Sequence, residues 1–199
     1  MEPMSSLSEP QPATRAASGA SDRTRLGATL SGDGADFAVV APHATAVDLC
    51  LTDTDATGTA VSEQRIGLRG PRLGIWDAHV PGVKAGQRYG YRVHGPWEPS
   101  EGLLFNPRKL LLDPYARALD GKPSLGPELY AHAVDENLSP AFVPFVPSEL
   151  DSAGRVALGV VTGEQFTVVP GPRVPEGRTV VYETHVKGFT HDMPGIPPE

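Results

Sequence analysis

Two residues near the end of the chain have the types and spacing of an acid–base pair. Glu183 and His185 stand two apart, so in an extended segment both side chains leave the same face. A carboxylate and an imidazole placed in this way are half of a general acid–base site. The structural alternative is that both point into the polar end of a core and orient other groups. The six histidines (His43, His79, His94, His132, His185 and His191) are dispersed and lack the spacing of metal ligands. Neither a metal nor a cofactor is expected. Cys50 is the only cysteine, so no intramolecular disulfide forms. Its alternating place in an apolar run reads as a small buried hydrophobe, since no sequence neighbour stabilises a thiolate.

The elements that position these residues are short strands. Residues 36–40 follow a Gly32-Asp33-Gly34 turn and place Phe37 and Val39 on one face. Residues 47–51 alternate, with Val47, Leu49 and Leu51 together. Residues 64–68 and 75–80 are two more strands, and residues 88–93 set Tyr89, Tyr91 and Val93 opposite the arginines. Residues 109–112 read as a last apolar strand, stopped by Asp113-Pro114. With 22 glycines and 21 prolines, turns are frequent and long helices are disfavoured. The pattern predicts a mainly β fold, an immunoglobulin-like antiparallel β-sandwich over residues 25–116.

Residues 1–24 offer almost no apolar surface to repay ordering entropy and read as a disordered tail. Residues 117–177 read as an extended connector, proline-rich between Gly121 and Pro147. Within it, residues 156–161 and 166–169 are loosely defined short strands. Residues 179–186 differ from the sandwich strands, with valine on both faces and polar groups toward the end. They resemble the first strand of a parallel (β/α)8 barrel, buried on both sides. A barrel needs about 250 residues, so residues 178–199 are expected to be the start of a truncated one.

A net charge of −7, from 17 basic and 24 acidic residues, argues against a nucleic-acid partner. No stretch approaches the roughly 18 apolar residues of a membrane span, so no membrane partner is expected. The first twenty residues lack the apolar core of a signal peptide, and a lone cysteine fits a reducing compartment. Both point to the cytoplasm.

The run YGYRVHGPWEPSEGLLFNPRKLLLDPYARALDG, residues 89–121, resembles the bacterial glycogen debranching enzymes of the isoamylase type, in glycoside hydrolase family thirteen. LGAT at 26–29, DGADFAVVAPHATAVDLCL at 33–51 and GIWDAHVPGVKAGQRYGYRV at 74–93 agree with it. VVYETHVKGFT at 180–190 is similar to the first barrel strand of that family, and MPGIPPE at 193–199 to the loop after it. The most specific string is FNPRKLLLDPYA, residues 105–116, because long non-periodic strings rarely arise by chance. The resemblance implies a family forty-eight carbohydrate-binding module joined to a (β/α)8 barrel that hydrolyses α-1,6-glucosidic branch linkages of glycogen or limit dextrin. It implies an Asp nucleophile, a Glu acid/base and a second Asp on barrel strands four, five and seven. No position here inherits those roles, so no catalytic residue is assigned and the chain alone is expected to be inactive.

What remains for this chain is binding. The implied partners are α-glucan and the missing catalytic barrel, against which the module docks. Sugar rings present C–H faces that stack on flat aromatics, with polar neighbours taking the hydroxyls. The candidate carbohydrate contacts are therefore Trp97, Trp76 and Tyr91. Trp76 sits mid-strand and Tyr91 shares an apolar face with Tyr89 and Val93, so core packing competes with contact there. Trp97, in the loop HGPWEPSEG, is less easily explained as core. His94 and Asn106 could bond sugar hydroxyls, although turn-capping explains Asn106 before Pro107 equally well. The alternative function is a non-catalytic α-glucan-binding module, acting alone or with a partner.

Overall fold

Alternating apolar residues separated by glycine- and aspartate-bearing turns produce a run of short strands. The structure, a computed structural model, describes residues 14–15, 25–54, 60–135, 137, 145–163, 169–185, 188–189, 191 and 193–195. The strands are β1 Thr14–Arg15, β2 Gly27–Ser31, β3 Gly34–Val40, β4 Ala46–Thr54, β5 Ala60–Gly67 and β6 Arg69–Arg72. After these come β7 Ile75–Pro81, β8 Arg88–His94, β9 Trp97–Glu98, β10 Leu103–Leu104, β11 Leu119–Asp120 and β12 Leu158–Val160. One sheet has the order β1-β5-β4-β8-β12-β11, and a second has the order β2-β3-β7-β6. Pairing is antiparallel throughout except between β1 and β5. Strands β9 and β10 form a separate two-stranded ribbon.

Register decides which residues meet in the core. In the smaller sheet, Ala35, Phe37 and Val39 lie opposite Val80, Ala78 and Trp76. In the larger one, Val47, Leu49 and Leu51 lie opposite Val93, Tyr91 and Tyr89. Directly opposite residues share a face, so each set forms one apolar surface. The two surfaces bury one cluster, and the Phe37 and Tyr89 rings meet across it edge to face at 5.1 Å. Each large side chain buried there is worth about 1.5–3 kcal/mol of apolar transfer. The mainly β antiparallel sandwich anticipated from sequence is the observed architecture.

Glycine makes room for a second layer outside the larger sheet. A Cβ at Gly90 would stand 2.9 Å from the carbonyl oxygen of Leu111 and 3.0 Å from Cδ1 of Leu110. Only glycine lets the chain after β10 cross that strand so closely. Cys50, Leu110 and Leu158 form a small cluster on this outer side, with Ala153 and Val156 against it. Cys50 is fully buried, and burial pushes its thiol far above the ordinary range. It packs as a small hydrophobe.

Two expectations are corrected. Residues 109–112 are not a strand: only Leu111 bridges Tyr91, and Lys109 and Leu110 turn inward while Leu111 and Leu112 are exposed. The chain there crosses the outside of the sheet rather than extending its edge. Residues 158–160, within the short strand anticipated at 156–161, form β12 and join the larger sheet, because the edge of β8 presents unpaired backbone groups that a further strand satisfies. Residues 179–185 form no strand among the described residues, and Val180, Val181 and Tyr182 are exposed. A strand exists only through its hydrogen-bonded neighbours, and none of the described residues pairs with this segment.

The tail reading falls outside the described residues apart from Thr14–Arg15, which add an edge strand beside Ile66 and Gly67. The strand anticipated at 166–169 also lies outside them, except for exposed Val169. The chain divides into two compact units, residues 1–164 and 165–199. In the second, a 3-10 turn spans Glu176–Arg178, and the rings of Tyr182 and Phe189 meet edge to face at 6.0 Å. No helix among the described residues is long and apolar enough to cross a membrane.

Candidate functional site

The string FNPRKLLLDPYA works as a clamp. Asn106 uses its whole amide. Its Oδ1 accepts the Arg108 N–H at 3.0 Å, which closes a local turn. Its Nδ2 donates to the carbonyl oxygens of Ala131 at 2.9 Å and Ser148 at 2.8 Å. Lys109 is 4% exposed, and its Nζ donates to the carbonyls of Glu128 and Leu150 and to Ser148 Oγ. Burial lowers the pKa of that ammonium, and hydrogen bonds to neutral acceptors replace its lost water. Ser152 Oγ accepts the Leu110 N–H at 2.8 Å.

Arg92 secures the same layer from below. Its buried guanidinium donates through Nε and Nη2 to the two oxygens of Glu63, each at 2.8 Å. It also donates to the Pro107 carbonyl and to Asp151. Burial pushes the Glu63 carboxyl up, but hydrogen bonds and charge from Arg92 more than offset this and hold it below the ordinary range. Asp113, also buried, accepts the Tyr89 hydroxyl at 2.6 Å and the Tyr115 N–H at 2.8 Å. Burial nevertheless holds its pKa above the ordinary value. It caps a turn, as its place before Pro114 suggests.

The clamp aligns two connector segments. Ala133 N donates to the Val146 carbonyl and Ser148 N to that of Ala131, while His132 bridges Pro147. His132 and Phe145 are thereby brought beside Trp97. The Trp97 indole N–H donates to the Phe145 carbonyl at 2.9 Å. The two rings stack with centroids 6.0 Å apart and planes 21° apart. His132 stacks on Phe145 at 4.4 Å, and Tyr130 meets His132 edge to face at 5.7 Å. The result is a partly exposed aromatic stack on the ribbon side of the sandwich. Under the ribbon, a Cβ at Gly95 would fall within 2.5 Å of the Phe105 ring, so glycine is required there too.

The other candidates are placed elsewhere. Trp76 is 5% exposed, and its indole N–H donates to the Ala41 carbonyl at 2.9 Å. Tyr91 is 1% exposed and packs on Tyr89. Both lie in the core with no ring face open to a ligand, which corrects their assignment as sugar contacts. Alternation put them on the inward face, and the second sheet covers it. His94 is engaged by Asp48 at 3.0 Å. Glu183 and His185 are exposed in the second unit, where His185 Nδ1 accepts the Gly188 N–H. No group of three or more possible metal ligands gathers among the described residues. Asn106 was weighed from sequence as a hydroxyl ligand or a turn cap, and its amide is spent on its own turn and on the connector; Phe145, His132 and Lys109 were not singled out as contacts. The one signal was a lysine and an asparagine just before three consecutive leucines.

Comparison with known proteins agrees with this architecture. The family model "Carbohydrate-binding module 48 (Isoamylase N-terminal domain)" matches residues 25–116. The chain is 42% identical over 175 residues to a glycogen debranching enzyme of Erwinia tasmaniensis, covering 87% of this chain and 24% of that protein. It is 39% identical over 180 residues to a glycogen debranching enzyme of Salmonella typhi, covering 89% of this chain and 25% of that one. Among solved structures, apo pullulanase from Paenibacillus barengoltzii is similar at 27% identity and a TM-score of 0.36, over 48% of this chain and 13% of that one. The chain thus spans about a quarter of the length of the curated relatives it matches. Residues 25–116 match the model of the carbohydrate-binding module 48 family, and the chain is similar to glycogen debranching enzymes over most of its own length.

Proposed function

We propose that this chain is the N-terminal part of a cytoplasmic glycogen-debranching glycoside hydrolase of the isoamylase type. The whole enzyme hydrolyses α-1,6-glucosidic branch linkages of glycogen or limit dextrin. Residues 25–116 serve it as a glucan-binding module that also docks the catalytic barrel. The observation that carries this reading is the 42% identity to a glycogen debranching enzyme, sustained over 175 residues and not confined to the module. The clamp supports it as well. FNPRKLLLDPYA spends its polar groups on holding the connector, which is the work of a module that positions the chain on its C-terminal side.

Chemistry belongs to the barrel in this reading. Retaining glycosidases use two carboxylates about 5–5.5 Å apart, and the resemblance puts these on later barrel strands. The chain as it stands binds glucan and does not cleave it.

Glycogen co-sedimentation and reducing-end release from limit dextrin, measured on the chain and on the product of its full reading frame, test both halves. Binding by both with release by the longer product alone is the expected result. Binding with no release by either selects a non-catalytic module acting alone or with a partner. Release by the chain itself contradicts the reading.

A further inference from the structure

A pocket of about 460 Å³ opens at the start of β8, beside the loop that joins it to β7. That is the size of a small-ligand site. Strand β8 spans about 20 Å, and the ribbon that carries Trp97 follows its other end. The pocket is therefore separate from the aromatic stack. Its lining is polar, and its cations are only partly matched. Lys84 is exposed, with no acceptor among the described residues. Arg88 gives its Nε to Asp120, and no acceptor among the described residues takes its two Nη groups. Thr52 lies directly opposite Arg88 on the same face of the sheet and is 2% exposed. Its hydroxyl is buried with no hydrogen-bond partner among the described residues, so a polar group is brought to the pocket and left unused. Gln87 donates its side-chain N–H groups to the carbonyls of Thr52 and Arg88, which leaves the amide oxygen as an acceptor. Asp53 accepts the Ser62 hydroxyl on Oδ2 and keeps Oδ1 for another donor.

We propose that this pocket binds a small phosphomonoester with a hydroxylated stem, the chemistry of a sugar monophosphate. A phosphomonoester carries close to two negative charges at neutral pH, which Lys84 and Arg88 match. Thr52, Gln87 and Asp53 supply the hydroxyl and the acceptors that sugar hydroxyls need. A neutral sugar leaves the cations unanswered, and phosphate alone leaves the other three groups unused. The site goes beyond the glucan reading and does not rest on it. The connector fixes the loop: the Gly86 N–H donates to the Val161 carbonyl at 2.8 Å, and the Val161 N–H to the Gln87 carbonyl at 2.9 Å. A ligand held by this loop stabilises the pairing just after β12, close to residue 164, where the first compact unit ends.

Titration of the full 199-residue chain with glucose 6-phosphate at low ionic strength tests the site, by calorimetry and by amide spectra, with inorganic phosphate and glucose as the two half-ligands. Glucose 6-phosphate is expected to move the amides of residues 82–88 and to bind about tenfold more tightly than phosphate, while glucose leaves those amides in place. Lys84→Ala is expected to weaken binding about tenfold, and Thr52→Val, which keeps the shape and removes the hydroxyl, about threefold. Arg72→Ala removes an exposed cation from the other sheet and leaves binding unchanged. Hydrogen exchange at the Gly86 and Val161 amides slows when the ligand is bound. Wild-type affinity in Lys84→Ala, or shifts only outside residues 82–88, overturns the site. Phosphate binding as tightly as the ester overturns the hydroxylated stem, and glucose moving the same amides equally overturns the anion. A spectrum unchanged by glucose 6-phosphate overturns the proposal outright and leaves the glucan reading untouched.

Discussion

Trp97 is joined to Phe145 twice, by an indole N–H donated to the Phe145 carbonyl at 2.9 Å and by ring stacking at 6.0 Å. One contact fixes the plane of the indole and the other covers one of its faces. A residue of the sandwich ribbon and a residue of the connector thus share one surface, although 48 positions separate them in sequence.

The clamp is what keeps them together, and Asn106→Ala removes its centre. The carbonyls of Ala131 and Ser148 lose their shared donor. Leaving such groups unsatisfied costs about 1–3 kcal/mol. Urea unfolding is expected to show a loss of that size, and proteolysis to cut residues 131–148 faster in the variant. An unchanged midpoint with unchanged protection would show that Asn106 only caps its own turn.

Gly90→Ala probes the layer outside the larger sheet. The added methyl meets a backbone oxygen at 2.9 Å, which cannot swing aside as a flexible side chain would. Overpacking of this kind costs about 1–3 kcal/mol, and thermal unfolding is the measurement. A variant as stable as wild type would mean that the chain at Leu110 and Leu111 lifts from β8 without cost.

His79 gives the chain a pH dependence. Its Nδ1 lies 2.9 Å from Asp36 and its Nε2 2.9 Å from Asp33, so the doubly protonated ring donates to both. The hydrogen bonds that His79 donates to Asp33 and then to Asp36 raise its pKa, and the His79 hydrogen bond lowers that of Asp33. A raised histidine stabilises fully below its unfolded value of about 6.5, and the effect fades as pH rises through the folded value. A lowered carboxylate stabilises above about 3.9 and loses the effect as pH falls through its folded value. The contribution therefore peaks between about pH 4 and 6.5. The melting-temperature gap between wild type and His79→Gln is expected to be larger at about pH 5.5 than at about pH 8.5. A gap independent of pH would contradict this.

The sandwich was legible because its strands obey a period of two. Phe37 and Val39, or Leu49 and Leu51, announce an inward face before any partner is known. The same period misled at residues 109–112, where three consecutive leucines read as a strand although Lys109 is what the fold buries most usefully. Its ammonium finds backbone acceptors around Glu128 and Leu150, which are distant in sequence and lie in an aperiodic stretch. Trp97 stood out as an aromatic in a proline-flanked loop. Phe145 did not, because its value depends wholly on where the clamp puts it. Residues 179–185 carry a strand pattern with no hydrogen-bonded neighbour among the described residues, and pattern without pairing makes no strand.

The central claim is the proposed role of residues 25–116 as a glucan-binding module, for which Trp97 is the candidate sugar contact. The chain has two tryptophans, so an amide correlation spectrum holds two indole N–H signals. Maltoheptaose added to the labelled chain is expected to move the Trp97 indole signal and the backbone amides of Phe145 and His132. The signal of buried Trp76 should stay in place. Shifts confined to residues away from this stack, with the Trp97 signal unmoved at saturation, would contradict the account.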